Sequence, residues 1–145
     1  MFFGSSNLKL HCRRFVCAHL TAHERNVARR IADYNHIVGS LLFDPLPPSD
    51  RSSSKTTMYS TSHLFFFGDL NFRVSLPKAH PLVQRLKESP AEALNSESKR
   101  EEVKEFDQLL LERRKGNSFV GLKDGEFWKF QCSYKYQLGE VDKYR

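Results

Sequence analysis

Residues 63–74, HLFFFGDLNFRV, carry the strongest structural signal in the chain. Leu64, Phe65, Phe66 and Phe67 run unbroken and stop at Gly68. A run that short, aromatic and glycine-terminated reads as a buried strand and not as a helix. Gly68 lets the backbone turn, and Asp69 and Asn71 follow at the strand's carboxyl end. In open α/β sheets ligands bind beyond that edge, so a carboxylate and a carboxamide this close in sequence can enter one pocket. The same pair also suits an Asx turn that only satisfies its own backbone.

Working outward, the 145 residues suffice for one modest domain with a real core, and twelve phenylalanines are there to fill it. The net charge of +6 favours an anionic partner, although the basic residues are scattered and form no tract. Cys12, Cys17 and Cys132 are an odd count without metal-type spacing. They fit a reducing compartment better than a disulfide framework. No apolar stretch approaches the ~20 residues that span a bilayer, and Arg13 and Arg14 interrupt the first apolar run. The expected location is cytoplasmic.

Residues 8–20 hold a second strand candidate, clearest at Phe15, Val16, Cys17 and Ala18, which ends at His19. A histidine at a strand end can donate to a phosphoryl oxygen, or its ring can pack under a loop. Residues 24–43 place Val27, Ile31, Tyr34, Val38 and Leu41 at helical spacing, an amphipathic helix laid on a sheet. Its arginines, with Glu24 and Asp33, read as a solvated surface. Residues 44–62, DPLPPSDRSSSKTTMYSTS, bury too little apolar surface to offset ordering entropy and read as a flexible loop within one domain. A short helix is expected over 80–87, a polar connection over 89–98 and a longer helix over 101–114, with Gly116 placed to cap it. Asp124 and Gly125 suit a turn between short strands within 119–136.

The wording of these blocks carries a resemblance. GDLNFR (residues 68–73) is similar to the GDLNYR motif of the inositol polyphosphate 5-phosphatases, a branch of the DNase I-like metal-dependent phosphoesterases. FVCAHLTAH (15–23) resembles that family's FVNSHLAAH, in which the first histidine belongs to the phosphate site. Arg30, Asp33 and Tyr34 match an Arg-Asn-x-Asp-aromatic stretch, with Ile31 in place of asparagine, and imply support of the helix-to-loop junction. Asp107, Gln108 and Leu109 match a triplet whose implied role is packing. Phe119, Gly121, Gly125, Phe130, Tyr134, Lys135 and Tyr136 match the family's last block here, with Cys132 where proline is usual. These blocks keep the family's order and are spread from Phe15 to Tyr136.

The resemblance implies an α/β chain forming part of a DNase I-like two-sheet sandwich with outer helices. Three helices and at most four to five strands are expected. The family's metal-holding glutamate and early asparagine have no counterpart here, and neither do its PAWCDR and Ser-Asp-His blocks. The expectation is therefore residues 1–145 as the central part of a catalytic domain, with apolar sheet faces exposed. The implied activity is metal-assisted removal of the 5-phosphate from inositol polyphosphates or phosphoinositides. Asp69 would orient and deprotonate the attacking water, and Asn71 and His19 would hydrogen-bond the phosphoryl group. Tyr134 and Lys135 would hold a neighbouring ring phosphate, and Mg²⁺ is the implied cofactor. The implied partner is a phosphorylated inositol or a phosphoinositide head group, with peripheral membrane contact and no nucleic acid. Two other readings stay open. One is a nuclease of the same superfamily, against which Tyr134 and Lys135 stand. The other is an inactive chain that binds a partner.

Overall fold

The computed structural model describes residues 12–45, 54–133 and 136–139. The chain divides into two compact units, residues 1–22 with 28–71 and residues 23–27 with 72–145.

In the first unit, strand β1 (Arg13–His19) pairs in parallel with β4 (His63–Asp69). The register sets Val16 opposite Phe66, Ala18 opposite Gly68 and His19 opposite Asp69. Parallel neighbours require a long crossover, and helix α1 (Val27–Ser40) lies within it. Side chains alternate across the pleat, so β1 buries Arg14 and Val16 and exposes Arg13, Phe15 and Cys17. On the covered face the Tyr34 ring of α1 meets Phe66 at 5.8 Å between centroids. On the open face Phe15 and Phe65 stack at 5.0 Å, and Phe15, Phe65 and Phe67 are 61%, 48% and 48% exposed. The run 64–67 is thus a half-buried strand and not a buried one, because among the described residues only one face of the β1–β4 ladder is covered.

The Gly68 backbone has φ +123, and a Cβ there would stand 2.1 Å from the Ala18 carbonyl oxygen. Only glycine allows β4 to approach β1 this closely where the site begins.

Helix α1 is entered through a 3₁₀ turn, Glu24–Asn26, and ends at Ser40, so it is shorter than the periodicity over 24–43 predicts. Leu42–Phe43 (β2) instead pairs antiparallel with Thr56–Thr57 (β3), inside the segment read as a loop. Met58 beside it is fully buried, which gives that end of the segment an apolar anchor. Residues 46–53 of the expected loop, and 8–11 of the first strand candidate, lie outside the described residues.

Two arginines turn inward, and one of them, Arg30, corrects the reading of the α1 arginines as a solvated surface. Arg14 donates to the Thr57 carbonyl and the Thr56 hydroxyl, and lies 4.4 Å from the Phe43 ring centroid. Arg30 is fully buried, and its guanidinium donates to the Thr21 carbonyl at 3.1 Å. Buried cations of this kind persist where acceptors surround them.

The second unit is helical. It holds α2 (Pro81–Glu88), α3 (Pro90–Ala93), α4 (Glu97–Lys104) and α5 (Gln108–Arg114), more helices than expected. The periodicity over 101–114 predicts one helix, yet it breaks at Asp107. There the backbone bridges Val74, with Gln108 N–H donating to Arg73 O and Ser75 N–H to Phe106 O, both at 3.0 Å. The Asp107 carboxylate then caps α5 by accepting from the Leu110 N–H at 2.9 Å. Gly116, at φ 79, follows the end of α5 as expected.

No strand forms among the described residues of 119–136, where a 3₁₀ turn spans Phe127–Lys129. Side chains hold this segment instead of a ladder. Arg100 donates to the Trp128 carbonyl at 2.6 Å, and Arg113 pairs with Asp124 at 2.5 Å. Among the described residues no helix is long and apolar enough to cross a membrane.

Candidate active site

The ends of β1 and β4 assemble the site within the first unit. Their parallel register carries His19 and Asp69 out of the sheet side by side, with His19 Nε2 3.7 Å from Asp69 Oδ2. Both side chains are largely exposed, so water screens their attraction and the pair contributes little to stability. Their accessibility is what a ligand requires.

The two carboxylate oxygens of Asp69 face different partners. Oδ1 accepts from the Asn71 N–H at 3.2 Å, and Oδ2 faces His19. The Asx turn foreseen for this segment is therefore present, and it occupies only one edge of the carboxylate. Asn71 takes a positive φ of 55, which asparagine tolerates better than most residues. Its side chain is buried, and Nδ2 donates to the Leu20 carbonyl at 2.9 Å. Leu20 is also tied to β4 through its N–H, which donates to the Asp69 carbonyl at 3.0 Å. His19, Asp69 and Asn71 are thus brought together at one strand edge. Tyr134 and Lys135, the other two candidates, lie outside the described residues.

A layer beneath the site comes from α1. Asp33 Oδ2 accepts from the Thr21 hydroxyl at 2.6 Å and from the Thr21 N–H at 2.8 Å. Those two bonds, hydroxyl first, hold the Asp33 carboxyl below the usual carboxylate range, and Arg29 and Arg30 add to the effect. Reading Asp33 as part of a solvated surface misses this arrangement. The available signal was the match of Arg30, Asp33 and Tyr34 to the Arg-Asn-x-Asp-aromatic stretch.

Among the described residues no group of three or more His, Cys, Asp or Glu side chains is arranged to hold a metal ion. Chemically, the site offers an exposed carboxylate, an imidazole and an oriented carboxamide at a strand edge, a set suited to an anionic ligand and an activated water.

Residues 5–145 match the profile of endonuclease/exonuclease/phosphatase family 2. The chain is 32% identical over 132 residues to type I inositol polyphosphate 5-phosphatase 2 of Arabidopsis thaliana, covering 90% of this chain and 18% of that protein. It is 32% identical over 142 residues to phosphatidylinositol polyphosphate 5-phosphatase type IV of Rattus norvegicus, covering 96% and 20% respectively. It therefore spans about a fifth of the length of these curated relatives. A solved structure, the inositol polyphosphate 5-phosphatase domain of SPsynaptojanin in complex with inositol (1,4)-bisphosphate and calcium ion, superposes with a TM-score of 0.59. The identity there is 23%, over 92% of this chain and 33% of that one, and the likeness gives the fold as DNase I-like α/β. The chain belongs to endonuclease/exonuclease/phosphatase family 2 and, within it, is similar to the inositol polyphosphate 5-phosphatases.

Proposed function

We propose that this chain contributes the phosphate-handling strand ends of a phosphatase that removes the 5-phosphate from inositol polyphosphates or phosphoinositides. The observation that carries the reading is the convergence of His19, Asp69 and Asn71 at one parallel strand edge. Similarity to relatives named for that activity supports it. Asp69 has one carboxylate oxygen committed to the turn, and the other edge orients a water and takes its proton. His19 and Asn71, the latter oriented by the Leu20 carbonyl, hydrogen-bond charge developing on the phosphoryl oxygens. Tyr134 and Lys135 hold the adjacent ring phosphate, and with lipid substrates the chain works at a membrane surface.

The resemblance implies Mg²⁺. The described residues do not fit that ion on their own. Mg²⁺ is held through one or two carboxylates, with water and substrate phosphate completing about six oxygen ligands, and among the described residues the site offers the single carboxylate of Asp69, already engaged at one oxygen. No step is therefore assigned to the metal. The same observation favours a second reading, a chain that binds the phosphorylated head group without turning it over.

One assay separates these readings. Inorganic phosphate is followed from inositol 1,4,5-trisphosphate and from vesicles bearing 4,5-bisphosphorylated or 5-monophosphorylated lipid, with Mg²⁺ supplied. Little release is expected from residues 1–145 alone. In a completed catalytic domain that contains them release is expected, and Asp69→Asn there should lower kcat by about 10²-fold or more with an unchanged circular dichroism spectrum. Lys135→Ala should lose roughly ten- to a hundredfold in kcat/KM on the 4,5-bisphosphorylated lipid only. Binding without release by that domain supports the second reading. Equal rates in Asp69→Asn and the parent domain would remove Asp69 from the mechanism.

A further inference from the structure

The hydrogen bonds beneath the site converge on one peptide group. Leu20 C=O and Thr21 N–H belong to the same planar unit, so fixing one end fixes the direction of the other. The oxygen end accepts from Asn71 Nδ2 at 2.9 Å. The hydrogen end donates to Asp33 Oδ2 at 2.8 Å. Thr21 is held at its other polar groups as well. Its hydroxyl donates to the same Asp33 oxygen at 2.6 Å, and its carbonyl accepts from Arg30 Nη1 at 3.1 Å. Leu20 itself is buried, with its N–H bonded to the Asp69 carbonyl at 3.0 Å.

We propose that Asp33 is a positioning residue that acts on Asn71 through the Leu20–Thr21 peptide plane. Two effects carry the influence. Accepting from the Thr21 N–H and O–H together stops rotation of the plane, so the Leu20 carbonyl points at the Asn71 carboxamide. The negative charge of the Asp33 carboxylate that accepts from the N–H also polarises the peptide, which makes its carbonyl a stronger acceptor. Asn71 needs such a tether because it sits at φ 55, where the turn alone holds it less firmly. Asp33 touches neither substrate nor water in this scheme, and its effect on turnover rests on the phosphatase reading. Its effect on Asn71 does not.

The test therefore has two arms, the first on the full chain. In the first, exchange of the Asn71 Nδ2 hydrogens with water and their chemical shifts are followed by NMR without ligand. Asp33→Ala should speed that exchange at least tenfold. Asp33→Asn keeps an oxygen for both Thr21 donors but loses the charge, and should give a two- to threefold rise. Tyr34→Phe removes the neighbouring hydroxyl bond between α1 and Tyr59 and serves as the control for general loosening, with Asn71 expected unchanged. Should Asp33→Ala fail to fold, Asp33→Asn decides alone. An unchanged Asn71 in every folded Asp33 variant overturns the proposal, as does an equal response in Tyr34→Phe. In the second arm, phosphate release by the completed catalytic domain should show kcat reduced tenfold or more in Asp33→Ala, with KM within twofold and partial recovery in Asp33→Asn. A completed domain that releases no phosphate defeats the phosphatase reading and leaves the first arm to decide the positioning role.

Discussion

Gly68 is the residue on which the site's geometry turns. Any side chain there brings Cβ to 2.1 Å from the Ala18 carbonyl oxygen, on a backbone whose φ of +123 already disfavours L residues. The obstacle is backbone and not a flexible tip, so neither strand can yield cheaply. Gly68→Ala is expected to cost about 2–4 kcal/mol, the scale of overpacking added to backbone strain. Urea unfolding of the variant checks this, and a loss below about 1 kcal/mol would mean that the ladder shifts to make room. The sequence marks Gly68 as the place where an aromatic run stops, and it marks Asp69, Asn71 and His19 as candidates. It does not show that Gly68 faces Ala18, because that requires the register. Nor does it show that Asp69 divides its oxygens between a turn and an imidazole. Asp33 was legible as a helix-to-loop support through its match, yet its composition-level reading was solvent, since nothing local says that Thr21 folds back onto α1.

At the level of elements, the break between α4 and α5 shows why periodicity overreaches. Residues 101–114 keep helical spacing throughout, but the chain leaves the helix where residues 106–108 pair with 73–75. A partner some thirty residues upstream leaves no trace in the local pattern. Asp107 then has two opposed duties. It caps α5 through the Leu110 N–H, and burial raises its carboxyl above the usual carboxylate range. A raised folded value means the folded state prefers the proton, so stability is fully present below the unfolded value of 3.8 and falls as pH rises through the raised value. Asp107→Asn keeps the cap acceptor and does not titrate. Its stability relative to the parent chain should therefore improve between pH 3 and pH 7. Asp107→Ala loses the cap and should cost about 1 kcal/mol. Denaturant unfolding of both variants at the two pH values is the check. A difference between Asn and parent that is flat with pH would show that the buried carboxyl does not oppose folding.

For the whole molecule, the open side of the β1–β4 ladder dominates. Phe15, Phe65 and Phe67 lie there with about half of their surface in water, and two of the rings are stacked on each other. A patch of this kind drives association when nothing covers it, and a net charge of +6 opposes it only in part. The chain is expected to self-associate with rising concentration. Phe15→Thr with Phe65→Thr should lower light scattering while keeping β propensity and the far-ultraviolet spectrum. A parent chain that stays monomeric and melts in one sharp transition would count against this. Exposure of an apolar sheet face was legible from the order of the blocks, because the α/β layers they imply need more strands than these residues provide. The helix count was not, since four-residue and eight-residue helices are set by caps and tertiary pairing more than by their own sequences.

The parallel pairing of β1 with β4 also governs when the site can exist. Leu20 and Asn71, joined by a hydrogen bond, are 51 residues apart along the chain. The contacts that join the two strand ends close loops of comparable span, an entropic cost met before any local reward arrives. During synthesis β1 emerges first and waits, with its aromatic edge unpaired, until β4 leaves the ribosome. The site is thus a late product of folding, and a chain stalled in that interval carries its histidine with nothing to work against.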